Sequence, residues 1–287
     1  MSLPIVKIDL LGPLSVRVDG VCVTPTAPKP RRVLALLAIN LNRVVRNEQI
    51  IDELWESRPP TSVTTTLQTY VYQLRKALNV TAAQNGTPAH TGGPAAALLR
   101  TFAGGYMLSL EPGSLDVQLF EELVRRGRLE LELGEVTTAA RTLREALSLW
   151  RGPALVDVNR GPILQAHVLR LEEIRKSALE LRIDADLGLG RHHELLSDLV
   201  GLVAQQPTHE GFQMRLILAL YRAGRRSEAL HAYQRARQAL VAELGVDPSG
   251  ELQRLHRAIL AGETTTTPQS GPRLDHVGSW GRSLNLP

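Results

Sequence analysis

The stretch TTTLQTYVYQLRKAL, residues 64–78, reads as one helix with two competent faces. Leu67, Val71, Leu74 and Leu78 recur at the spacing that stacks apolar side chains into a single stripe. Thr65, Thr69, Tyr72 and Lys76 repeat that spacing on the opposite side, flanked by Gln68, Gln73 and Arg75. A solvated helix face is ordinarily dense in Glu and Lys, and this one holds no acid. Hydroxyls, amides, a phenol and cations are the groups that read base edges and hold phosphates. By periodicity alone, the same pattern also describes an amphipathic packing helix with a polar surface.

The flanks favour the first reading. IVKIDLLGPLSVRVDGVCV, residues 5–23, alternates like short strands, with turn signals at Gly12-Pro13 and Asp19-Gly20. A buried helix is expected over Pro30–Leu41. A second helix follows from Asn47, with Asn47 as N-cap and Ile50, Ile51, Leu54 and Trp55 facing inward. Pro59-Pro60 ends it, and Thr61 or Ser62 caps the third. After a Gly/Pro/Ala-rich loop (Gln84–Ala97), ALLRTFAGGYMLSL reads as a hairpin turning at Gly104-Gly105. Strands, three helices and a hairpin is the order of a winged helix-turn-helix. The helix over residues 64–78 occupies the recognition position.

Charge is placed accordingly. The 287-residue chain carries a formal net charge of +4, and its first 110 residues hold eleven Lys and Arg against six Asp and Glu. Residues 111–262 are nearly balanced, with twenty against twenty-one. A positive excess beside the two-faced helix suits a polyanionic partner. Cys22 is the single cysteine, which excludes an intrachain disulfide and a thiolate metal cluster and fits a reducing cytoplasm. No apolar run reaches membrane-span length, and no leader peptide is recognisable at the N-terminus.

The second half reads as helical repeats. Gly190 and Gly224 stand 34 residues apart, the tetratricopeptide period. With each Gly at an inter-helix turn, Ala139 aligns with Ala229 and Ala146 with Ala236, giving three helix pairs around Gly134, Gly190 and Gly224. LWRGPAL from Leu149 interrupts the series. Catalytic signals are weak: no Gly-rich loop ends in Gly-Lys-Ser/Thr, and adjacent His192 and His193 point apart on a helix. Glu172, Glu173, Asp184 and Asp186 read as solvated helix charges. Residues 263–287 lack periodicity and read as a flexible tail.

Four segments, LLGPLSVRVDG, LAINLNRVVRNEQIIDELW, PPTSVTTTLQTYVYQLRKAL and GGYMLSLEPGSLDVQLFE, resemble in order and spacing the Streptomyces antibiotic regulatory proteins, the SARP family. The resemblance covers roughly residues 3–262. It departs where Tyr72-Gln73 replaces a Ser-Arg pair, and where the wing reads Thr101-Phe102-Ala103-Gly104 in place of Thr-Arg-Pro-Gly. The resemblance implies a mainly α fold with a small β part. Residues 1–110 would be an OmpR-type winged helix, 111–262 a bacterial transcriptional activation domain of tetratricopeptide-like repeats, and 263–287 a tail.

The expectations are therefore specific. The protein is a cytoplasmic, sequence-specific transcriptional activator of an antibiotic or secondary-metabolite gene cluster, with no enzymatic activity, no metal and no cofactor. Thr69, Tyr72 and Gln73 read bases. Thr65, Arg75, Lys76 and Arg100 hold phosphates, Gln68 serves either role, and Thr101 joins from the wing. The resemblance implies partners as well: double-stranded promoter DNA with direct repeats near the −35 element, a second protomer on that DNA, and RNA polymerase through sigma region 4. Glu56, Ser57 and Arg58, in the loop between the second and third helices, are the expected polymerase contact. The rival reading is a repeat scaffold for protein–protein interaction with a degenerate winged helix.

Overall fold

Alternating Val and Ile between two turn signals build the first sheet. β1 (Val6–Asp9), β2 (Ser15–Val18) and β3 (Val21–Cys22) form an antiparallel meander in sequence order, with Val6 opposite Val18 and Ile8 opposite Val16. Asp19 and Gly20 carry φ of 50° and 83°, the paired left-handed conformation that suits a two-residue hairpin. The computed structural model describes residues 4–56, 59–79 and 97–262. The loop expected over 84–97, all but its last residue, and the tail expected over 263–287 lie outside these.

Three helices follow. α1 spans Pro28–Ile39, two residues earlier than the sequence suggests, because Pro28 at its first position has no N–H to satisfy. Val33 through Ala38 are all buried, so this helix is covered on every side. β4 (Val45–Arg46) leads directly into α2 (Asn47–Trp55). The N-cap is Arg46 rather than Asn47: strand pairing keeps Arg46 extended, and its N–H donates to Gln49 Oε1 at 3.0 Å. α3 (Val63–Leu78) precedes β5 (Leu99–Phe102) and β6 (Gly105–Leu108), which form a second sheet in the order β4-β6-β5. The hairpin loop is Ala103-Gly104, one residue earlier than expected. Gly105 is already strand, and a Cβ there would meet the Val45 carbonyl oxygen at 2.4 Å.

The helical half begins with α4 (Asp116–Glu132) and α5 (Val136–Ser148), followed after a loop by α6 (Pro162–Gly188). α7 (His192–Gln205), α8 (Glu210–Arg222), α9 (Arg226–Leu244) and α10 (Gly250–Ala261) complete the described chain. Gly134, Gly190 and Gly224 have φ of 78°, 77° and 78°, each at the turn of a helix pair. At all three, the N–H after the glycine reaches back to a carbonyl five residues earlier: Glu135 to Glu130, Arg191 to Asp186, Arg225 to Leu220. Ala139, Ala146, Ala229 and Ala236 are completely buried, as small residues at the seam of a helix pair should be. Asp186 departs from its expected solvated role. It is buried, with its carboxylate 2.8 Å from Arg191 Nη1.

By packing, the chain forms two compact units, residues 1–185 and 186–287. The boundary expected at residue 110 is not a gap in packing. One core runs from Val6 and Ile8 through Leu34, Leu74 and Leu108 to Phe120, Trp150, Leu164 and Ala178. Polar bonds cross the same seam. Leu10 and Leu11 donate their amides to the Asp116 carboxylate at 2.8–2.9 Å. Leu14 donates to Asp157 at 2.8 Å, and Arg31 pairs with that carboxylate. Burial pushes the Asp116 carboxyl up, while the Leu10 and Leu11 amides pull it down.

The most demanding of these bonds belongs to Glu53. Completely buried in α2, its carboxylate accepts the amides of Gly161 at 2.6 Å, Ile163 at 2.8 Å and Leu164 at 3.3 Å. Those amides are the unpaired N-terminal donors of α6, where an anion is favoured. Gly161 permits the approach, since a Cβ there would lie 2.3 Å from the Glu53 carbonyl oxygen. Glu53→Ala should therefore strand three buried donors and cost about 3 kcal/mol or more, lowering the melting temperature by roughly 6–12 °C. Thermal unfolding followed by circular dichroism checks this. A change under about 2 °C would mean the bonds are not needed.

Candidate nucleic-acid interface

α3 is held by its apolar stripe: Leu67, Val71, Leu74 and Leu78 are each exposed by 3% or less. Tyr70 on its flank stacks on Trp55 of α2 with ring centroids 6.3 Å apart, and Lys29 lies over the same indole at 4.3 Å. The opposite arc is open. Thr65, Gln68, Thr69, Tyr72, Gln73 and Lys76 are all exposed, with Tyr72 at 61%. The structure thus brings six of the expected residues onto one face. Arg75 and Lys76 close the last helical turn, where cations oppose the helix dipole favourably.

Two side chains on this helix have duties that the sequence did not reveal. The Thr69 hydroxyl donates to the Thr65 carbonyl at 3.0 Å, so it faces outward as an acceptor and a methyl group. Arg75, expected at a phosphate, is turned to the hairpin. Its Nε and Nη2 donate to the Leu99 carbonyl at 3.1 and 2.8 Å, and Nη2 also donates to Thr101 Oγ1 at 2.7 Å. The guanidinium is a strut between α3 and the β5–β6 hairpin, and Thr101 is one of its seats. A one-dimensional reading cannot tell where a long cation ends.

The wing exposes Arg100 and Phe102, with the Arg100 guanidinium carbon 5.3 Å from the Phe102 ring centroid. Glu56 closes α2 with φ of 54° and is exposed. Ser57 and Arg58, expected beside it, lie outside the described residues. Glu48, Asp52 and Glu56 are all exposed at successive helical turns of α2, an acidic line that sequence reasoning missed. Among the described residues no group of three or more potential metal ligands occurs, and no helix is long and apolar enough to cross a membrane.

Comparison with known proteins supplies the lineage. Residues 115–260 match the family described as bacterial transcriptional activator domain, and residues 23–89 match transcriptional regulatory protein, C terminal. The regulatory protein DnrI of Streptomyces peucetius is 45% identical over 273 residues, covering 95% of this chain and 98% of that protein. The transcriptional regulator RedD of Streptomyces coelicolor is 38% identical over 256 residues, 89% of this chain and 71% of that one. Among solved structures, Mycobacterium tuberculosis EmbR in complex with a low affinity phosphopeptide superposes with a TM-score of 0.84 at 32% identity, over 92% of this chain and 67% of that chain.

The Arg75 strut is testable without DNA. Arg75→Ala should cost about 1–3 kcal/mol and speed amide exchange in residues 99–108. Arg75→Lys should not restore protection, because an ammonium cannot make the forked contact to Leu99 and Thr101. Unchanged exchange in both variants would show that the hairpin holds its place without the strut.

Proposed function

The chain belongs to the SARP family of transcriptional regulators, and from that premise we propose that it is a sequence-specific activator whose α3 enters the major groove of promoter DNA. The observation that carries this is the exposed arc Thr65, Gln68, Thr69, Tyr72, Gln73 and Lys76, which contains no carboxylate. Gln73 and Gln68 have amides suited to adenine, while Thr69 offers a methyl to thymine and a hydroxyl oxygen to an amino group. Tyr72 adds a phenol. Lys76, Thr65 and the wing residue Arg100 hold phosphates. Arg75 serves recognition indirectly, by fixing the wing against the helix.

The remaining assignments are proposed with family membership as their support. The promoter carries direct repeats near the −35 element, and two protomers occupy them side by side. The genes controlled are those of an antibiotic or secondary-metabolite cluster, and the protein works in the cytoplasm, at the nucleoid. The winged helix over 1–110 meets DNA, and the repeat region over 111–262 meets protein. RNA polymerase, including sigma region 4, is met by the loop from Glu56 through Ser57 to Arg58. The acidic line of Glu48, Asp52 and Glu56 supports that assignment, because carboxylates are repelled by phosphates and left for a basic protein surface.

Anisotropy titrations on specific and random duplexes over a salt series test the base-reading roles. Gln73→Ala should lose about 1–3 kcal/mol of discrimination at one base pair and leave random binding nearly unchanged. Lys76→Ala should weaken both duplexes alike and flatten the salt slope by about one unit. An equal loss on both duplexes for Gln73→Ala would remove it from the base readers.

Glu56→Ala separates binding from activation. Promoter affinity should stay within about twofold of the parent, since no DNA contact is lost, while transcription in vitro by added polymerase falls several-fold. Full transcription with unchanged affinity would take Glu56 out of the polymerase contact.

A further inference from the structure

A cavity of about 220 Å³ opens where the C-terminal end of α1 meets α4 and α6, within residues 1–185. Its floor is apolar: Leu10, Leu115 and Val117 line it and are buried. Its mouth is polar, with Arg43, Gln118 and Arg170 exposed there. Between floor and mouth stand His167 and Glu121, both half-buried. An apolar enclosure with a few converging polar groups is the usual form of a small-molecule site. None of its lining residues belongs to α3 or to the β5–β6 hairpin, so it is separate from the candidate nucleic-acid interface.

Charge narrows the occupant. Arg170 Nη2 donates to Glu121 Oε1 at 2.6 Å, so these two charges offset each other while the guanidinium keeps further N–H donors. Arg43 has no ion pair among the described residues. The lining thus carries one cation in excess, and a monoanion balances it. His167 asks for a second group. Its Nε2 is buried with no hydrogen-bond partner among the described residues, a costly condition for a polar atom. Burial pushes the imidazole down, and Arg170 adds to that against the pull of Glu121, so the ring is neutral at pH 7. A hydroxyl both donates and accepts, so it pairs with Nε2 in either tautomer.

Size sets the body of the ligand. An apolar cavity of about 150 Å³ holds benzene, and pockets for larger ligands begin at about 300 Å³. The volume here suits a single ring with its substituents. We propose that this cavity binds a small aromatic monocarboxylate of the hydroxybenzoate class, its carboxylate on Arg43 and Arg170, its ring on Leu10, Leu115 and Val117, and its hydroxyl on His167. The site does not depend on how α3 meets DNA. Its occupant bridges the turn after α1 to α4 and α6. That turn is clipped to the neighbouring chain by Asn42, whose N–H donates to the Leu108 carbonyl at 2.8 Å and whose Nδ2 donates to the Leu110 carbonyl at 3.0 Å. A ligand held on Arg43 therefore restrains the turn that leads through β4 into α2, and stabilises the folded chain by mass action.

Isothermal titration of the full chain with 2-, 3- and 4-hydroxybenzoate, benzoate and 4-hydroxybenzyl alcohol tests the site. At least one hydroxybenzoate should saturate a single site, with benzoate and the uncharged alcohol each about tenfold weaker or more. At hundredfold excess over Kd, that acid should raise the melting temperature by about 5 °C. Arg43→Gln removes an exposed cation that the fold does not pair, and should weaken every acid about tenfold while leaving the alcohol unchanged. His167→Leu should erase the preference for hydroxybenzoate over benzoate. If His167→Leu does not fold, the acid-against-alcohol comparison in Arg43→Gln decides alone. No saturable binding of any acid up to about 10 mM would overturn the proposal. Parent affinity for the acids in Arg43→Gln, or a retained hydroxyl preference in folded His167→Leu, would overturn it as well.

Discussion

A single buried carboxylate sets the terms for the first 185 residues. Glu53 sits on the inner side of α2, the first helix of the helix-turn-helix, yet its acceptors are spent on the opening amides of α6. A helix N-terminus presents donors that water can no longer reach once the core closes, and each unpaired donor costs free energy of the same order as a lost hydrogen bond. Glu53 satisfies three at once. Its backbone carbonyl accepts Arg32 Nη1 at 2.7 Å, which ties α1 to the same point. α1, α2 and α6 therefore meet at one residue, while α3 packs on α1 and stacks Tyr70 on Trp55 of α2.

Within residues 1–185, the segments on either side of residue 110 accordingly share one core. Asp116 and Asp157 repeat the device on the sheet side, the first holding the Leu10 and Leu11 amides of the β1–β2 connection and the second the Leu14 amide. Leu155 returns the exchange by donating to the Leu10 and Gly12 carbonyls at 3.1 and 2.8 Å. Three carboxylates from different parts of the chain thus close three loops. Such a seam transmits position: any tilt of α2 must be accommodated at the start of α6. The family models meet the chain over residues 23–89 and 115–260, while packing divides it into residues 1–185 and 186–287.

What could be read in the sequence was whatever repeats. The four-residue stripe of α3, the alternation of β1 and β2, and the glycines of the helix pairs are periodic signals, and all three reappear as buried faces or left-handed turns. The long-range acceptors were not legible. Glu53 lies in NEQIIDELWE beside Glu48 and Asp52, and nothing local distinguishes the one that is buried. Arg75 and Lys76 are adjacent cations with the same local appearance. One ends on Leu99 and Thr101, while the other stays in solvent, because only Arg75 lies over the edge strand β5. Chain-distant partners decide such cases, and a linear pattern does not contain them.

The distribution of acids gives the interface its direction. Asp9 pairs with Arg17 at 2.9 Å, Asp19 accepts the Ile5 amide at 2.9 Å, and Glu53 is buried, so half of the acids in the first 110 residues are used by the fold. The other three, Glu48, Asp52 and Glu56, are exposed together on α2. The adjoining α3 has cations and no carboxylate. A rod of phosphates approaching this pair of helices meets attraction on one and repulsion on the other, within about a Debye length of roughly 8 Å at physiological salt. On the proposed reading, that field would turn α3 to the groove and hold the acidic line of α2 off the backbone. In such a complex that line would be the anionic surface left for a protein. On the proposed reading, the charge pattern that would orient the protein on DNA would also present α2 to polymerase.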